Sequence, residues 1–181
     1  MEFENFCKLA AVYSSIVAVF YFIYGLLEIV VGAAAWWMPW LEIPELNSGF
    51  AVTAGGEVEV YIPKLAADPF AGLVLMIVSL VFAKAAVSLF EGRVEGWSFT
   101  TVGLLLAGAL FLLNVFIVLA DCADAYYPLL WGGEPNYEWS VFTDDWMFNP
   151  MMTLFALTLQ LVSVYLRKDE FIKEVGRTGI K

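Results

Sequence analysis

The chain has 181 residues, of which 61% are apolar, with a mean hydropathy of +0.78 and a formal net charge of −10. A soluble domain of this size is not so apolar, so the composition reads as an integral membrane protein. There is no histidine, which excludes bis-histidine haem, histidine-ligated copper or iron, and histidine general-base catalysis.

About 20 mostly apolar residues cross a bilayer core as a helix. The first qualifying run covers about residues 9–37 and is broken by a single charge, Glu28. It is not expected to be a cleaved signal peptide. The segment before it carries Glu2 and Glu4, and the apolar run is far longer than a signal core. Gly25 and Gly32, seven residues apart, mark a face where another helix can approach closely. Trp36, Trp37 and Trp40 close the run, as expected at a membrane–water boundary.

A loop over 38–68 follows. Phe50-Ala-Val-Thr and Val58-Glu-Val-Tyr-Ile62 flank Ala54-Gly55-Gly56 and read as a β-hairpin. Val58, Val60 and Ile62 alternate with Glu59 and Tyr61, the period of a half-buried strand. The second span is expected over about 70–90. Pro69 is suited to a first helical turn and Asp68 before it to an N-cap. Lys84 lies inside this span.

The third span, about 97–120, carries no charge. Gly103 and Ala107 give it a small-xxx-small spacing, with Gly108 beside them, and Asn114 places an amide in its outer third. The loop over 121–146 is rich in Pro, Gly, Trp and Tyr and is expected to be irregular. The fourth span, about 147–166, opens on Asn149-Pro150 and contains Gln160 at mid-depth. The tail over 167–181 mixes both signs of charge. Phe171, Ile172 and Val175 give it a partial apolar face.

Of the nine basic residues only Lys64 falls in an expected outer loop. Cationic loops stay in the cytoplasm, so both termini are expected there, with two loops outside the cytoplasmic membrane. Those loops hold Glu42, Glu45, Glu57, Glu59, Asp68, Asp121, Asp124, Glu134, Glu138, Asp144 and Asp145. Nearly all of the net charge of −10 therefore belongs to one surface, which attracts cations and repels nucleic acid. A generic acidic exterior, docking of a basic partner and divalent-cation binding all fit it. Asp121, Asp124, Asp144 and Asp145 are the candidate oxygen ligands, although their spacing matches no calcium loop.

An ionisable residue at bilayer depth is a candidate site because its desolvation is costly. Counted from the expected outer ends, Glu28 lies about 13 Å deep and Lys84 about 22 Å deep. Two long side chains nearly bridge that difference, so Glu28 is expected to pair with Lys84, Asn114 or Gln160. A proton or cation relay, or contact with a partner's charge, are the other readings. Cys7 and Cys122 fall on opposite sides of the membrane and are not expected to form a disulfide.

The sequence thus predicts an all-α integral membrane protein. It is a four-transmembrane-helix bundle with a small extracytoplasmic cap containing a β-hairpin. No cofactor or catalytic group is implied. The expected partners are the lipid bilayer and other membrane subunits or further copies of the chain. The leading function is a non-catalytic subunit that stabilises a larger membrane complex. The alternatives are a small cation or proton channel or transporter using Glu28, and a quinone-linked anchor of an electron-transfer enzyme.

Overall fold

The computed structural model describes residues 2–37, 50–54, 58–62, 68–139 and 150–178. Helix α1 is Phe3–Trp37, 35 residues long. At 1.5 Å per residue that is about 52 Å, well beyond an apolar core of about 30 Å. One stripe is buried: Cys7, Ala10, Ser14, Val17, Tyr21 and Glu28 recur at helical spacing. The opposite face, with Leu9, Val12, Ile16, Ile23 and Val30, is exposed and equally apolar. A helix apolar all round has no stable place in water and a natural one in lipid.

Two strands follow, β1 (Phe50–Ala54) and β2 (Val58–Ile62), antiparallel with Val52 opposite Val60. Helix α2 is Pro69–Phe90. Its N-cap is Asp68, whose carboxylate accepts from the N–H groups of Phe70 at 2.8 Å and Ala71 at 3.3 Å. A tight turn then reverses the chain. Gly92 adopts φ +67°, and the Arg93 N–H donates to the Ser88 carbonyl at 2.9 Å. A left-handed residue at this point strongly favours glycine.

Helix α3 is Val94–Tyr126. It runs past the expected end at 120 and takes Asp121, Cys122 and Asp124 into its last turns. No glycine or proline interrupts the chain there until Pro128, so nothing stops the helix sooner. A 3-10 turn over Tyr127–Trp131 and Gly132 at φ +75° end it. Asn136, Tyr137 and Tyr126 then tie the following segment back to α3. They donate to the carbonyls of Asp124, Asp121 and Trp139 respectively.

The last apolar rod has three pieces: α4 (Pro150–Thr158), a 3-10 turn (Leu159–Leu161) and α5 (Val162–Leu166). Helix α6 (Lys168–Thr178) completes the described chain. Three helical stretches are long and apolar enough to cross a membrane: Phe3–Ala34, Pro69–Phe90 and Val94–Trp131. Thr153–Leu166 is a shorter apolar helix.

Helix α2 packs along both α1 and α3, while α4 rests on α3 and α1. The shared core holds Tyr21, Leu75, Val78, Phe82, Leu89, Ala107, Leu154 and Leu161. At the end where α6 lies, Phe171 is buried edge-on against Phe3, with ring centroids 4.9 Å apart. The Arg167 guanidinium stands 4.1 Å from the Phe6 ring centre. Helix α6 thus docks on that end of the bundle through Phe171.

Candidate functional site

The α1–α2 seam is built on backbone contact. A Cβ on Gly25 would stand 2.7 Å from the Gly72 carbonyl oxygen, and one on Gly72 would stand 2.6 Å from that of Gly25. One Cβ at Gly32 would meet the Pro69 nitrogen at 2.6 Å. Gly25 and Gly32 both lie in this contact. Their partners, Gly72 and Pro69, were not marked by any spacing. On the other side of α2, a Cβ at Gly103 would meet the Phe82 ring at 2.7 Å, and Ala107 is buried. A Cβ at Gly96 would reach the Leu89 nitrogen at 2.7 Å, a contact the sequence reading missed.

Serines reinforce the seam. Ser79 donates to the Ala18 carbonyl at 2.7 Å, and Ser14 to the Phe82 carbonyl at 2.9 Å, both fully inside. In lipid such cross-helix bonds spare each hydroxyl an unsatisfied state. A serine in an apolar run is the only sequence signal for them. Tyr13 ties α1 to α4 in the same way, donating to the Leu157 carbonyl at 2.8 Å.

Glu28 lies in this seam, 1% exposed, with Oε2 lacking any hydrogen-bond partner. It is three residues past Gly25 and four before Gly32, so it sits level with the first turn of α2. Asn114 is buried on α3. Gly103 meets Phe82 and Gly96 meets Leu89, so counting along these antiparallel helices sets Asn114 level with Ala71–Gly72. Glu28 and Asn114 thus occupy one layer of the interior, within about a turn.

The expected Glu28–Lys84 pair is not formed. Lys84 is exposed on the lipid side of α2, twelve residues beyond Gly72, or about 18 Å further along. Depths counted from the helix ends misled because α1 projects past the start of α2. Gly32, not Trp37, faces Pro69. Gln160 is also exposed and does not reach this layer. The ionisable group at the head of α2, beside this layer, is another carboxylate, that of Asp68.

The outer acids do not assemble into one site among the described residues. Asp121 is half-buried and Asp124 exposed on the last turns of α3. Asp144 and Asp145 lie outside the described residues. No cluster of three or more metal-ligating side chains occurs among those described. Cys7 is buried and Cys122 half-buried, and both are free thiols.

Two lateral clefts open toward the surrounding medium. One, of about 510 Å³, lies between α1 and α2 and is lined by Ala11, Ser15, Ala18, Ala83, Ala86 and larger apolar groups. The other, of about 400 Å³, lies between α1 and the α4–α5 rod and is lined by Phe6, Leu9, Ala10, Tyr13, Gln160, Leu161 and Ser163.

A family model described as the MJ0565 integral membrane domain matches residues 41–169. The match covers well over half of the chain, which therefore belongs to that family. It starts after α1 ends and takes in α2 through α5. No curated protein and no solved structure matches the chain.

Proposed function

We propose that this member of the MJ0565 integral membrane domain family is a non-catalytic, four-span subunit of the cytoplasmic membrane. In this role it holds a larger membrane assembly together. The single observation that carries the reading is the α1–α2 cleft. Half of its lining is small, Ala11, Ser15, Ala18, Ala83 and Ala86; the rest is Val12, Val19, Val87 and Phe90, with Glu91 at one end. Where side chains are this short, the backbone of a further helix can approach closely, which is how helices associate in lipid. The occupant is a transmembrane helix, supplied by another subunit or by a second copy.

The fourth span is the rod from Pro150 to Leu166. Its 17 helical residues would cover about 25 Å, enough with modest thinning or snorkelling at its ends. Arg93 in the α2–α3 turn and Arg167 and Lys168 after α5 put one end of the bundle in the cytoplasm. The acidic loops and the β1–β2 pair then form a cap on the opposite face.

Filling the cleft tests the assembly role. Ala83 is exposed on the cleft wall, so Ala83→Leu does not crowd the interior. The protein extracted in mild detergent should run as a larger complex, and Ala83→Leu should shift it toward the mass of one chain. A wild-type protein that runs as a lone, monodisperse chain with nothing co-purifying ends this reading.

A further inference from the structure

The seam closes at Gly25 against Gly72 on one side of Glu28 and at Gly32 against Pro69 on the other. Backbone meets backbone at both points, which leaves no room for a counter-ion unless the helices part. Between them the Glu28 carboxyl is fully enclosed, with Oε2 unpartnered.

The groups around it, among the described residues, bring no cation. Helix α2 brings Asp68 at its N-cap. On α1 itself Tyr24 lies one turn away and Tyr21 about two, both on the side remote from Asp68. Helix α3 brings Asn114 at the same level, and its Asp121 about 10 Å further out. The described part of α4 and α5 brings no titratable group before Tyr165, which lies against Trp97 at the far end. Lys84 faces lipid about 18 Å away. An ionised carboxylate enclosed without a countercharge is strongly disfavoured, whereas a protonated one is a neutral polar group.

We infer that Glu28 is a reversible proton-binding site inside the membrane, occupied while the α1–α2 seam is closed and exchanged with the outer face through Asp68. This goes beyond the assembly role and needs no partner chain. Loading forms one O–H bond on the Glu28 carboxylate and takes its charge from −1 to zero. Release breaks that bond and passes the proton to the Asp68 carboxylate, then to water. Asp68 and Glu28 are neighbours along the seam. The Asp68 carbonyl carbon would lie 3.1 Å from a Cβ on Gly32, and Gly32 is one turn, about 6 Å, from Glu28. Asp68 is half-exposed, and its hydrogen bonds from Phe70 and Ala71 hold its carboxylate at the head of α2. The emptied site carries a charge that the closed seam does not accommodate, so release also loosens the α1–α2 contact.

Infrared spectroscopy of the full chain in phosphatidylcholine vesicles tests this. The carbonyl stretch of a protonated carboxylic acid should appear in the wild type and disappear in Glu28→Gln. In Glu28→Asp it should persist at a shifted frequency, which keeps the assignment if the glutamine variant does not fold. Raising the pH should bleach the band reversibly. After a pH jump the response should slow roughly a hundredfold in Asp68→Asn, the loss expected when a positioned proton carrier is removed. Asparagine keeps the capping oxygen, so α2 should stay intact. Identical carboxylic-acid bands in the wild type and both Glu28 variants overturn the site, as does a Glu28 band that no pH alters. An unchanged rate in Asp68→Asn overturns the route.

Discussion

At the scale of single residues, glycine decides how tightly this bundle closes. Gly25 and Gly32 were legible because they recur on one face of an apolar run. Gly72 was not, because a lone glycine in a span is common and only the partner helix shows what it touches. Its substitution should be among the most damaging in the chain. A Cβ at Gly72 would collide with the Gly25 carbonyl and the Ile29 backbone, neither of which can rotate away. Overpacking costs typically about 1–3 kcal/mol, and backbone clashes fall at the upper end or beyond. Gly72→Leu should therefore lower the thermal unfolding midpoint in detergent by many degrees. Gly108→Ala should leave it nearly unchanged, since a Cβ there meets nothing closer than Phe155 at 3.7 Å. Equal midpoints for the two variants would mean that the α1–α2 contact does not limit stability. Glu28 was legible as an intramembrane acid, but its surroundings were not. Its depth depended on how far α1 slides past α2, which no count within a single helix supplies.

At the scale of elements, starts were easier to read than ends. Asp68-Pro69 announced α2 by simple chemistry: an oxygen to take the first free N–H groups, then a residue that has none to offer. The structure places Asp68 in that role. Asp68→Ala should lose about 1 kcal/mol of stability, while Asp68→Asn should lose little, as chemical denaturation would show. Equal loss in both variants would point to the charge rather than the cap. The end of α3 was misjudged because aromatic and acidic residues beyond 120 looked like loop, although none of them breaks a helix. The 3-10 turn at Leu159–Leu161 had no glycine or proline to signal it. Hydroxyls flank it instead. Thr158 donates to the Phe155 carbonyl at 2.7 Å and Ser163 to the Gln160 carbonyl at 2.8 Å, each to a residue three earlier. Such bonds compete with the regular helical ladder and favour a tightened turn.

At the scale of the whole molecule, the charge asymmetry expected from the sequence can be tested through the thiols. Cys7 sits near the start of α1, buried beside the helix that docks on one end. Cys122 sits on the last turns of α3, half-exposed. Helices α1 and α3 both run from that end toward the other, so the two thiols lie near opposite faces of the bundle. The basic residues gather with Cys7, at the Arg93 turn and along α6. There Arg93 pairs with Glu91 at 3.0 Å and Lys8 with Glu4 at 2.6 Å. These exposed pairs contribute little stability, since ion pairs in water are worth at most about 1 kcal/mol. What they do is neutralise acids at that end, as the expected excess of carboxylates at the other end requires. A membrane-impermeant maleimide added to intact cells should therefore label Cys122. Labelling should vanish in Cys122→Ser and persist in Cys7→Ser. After the membrane is opened, Cys7 should still react slowly, because packing rather than topology shields it. Labelling of Cys122 only in opened cells would invert the bundle. The carboxylates would then face the cytoplasm, and Asp68 would deliver protons to Glu28 from the cell interior.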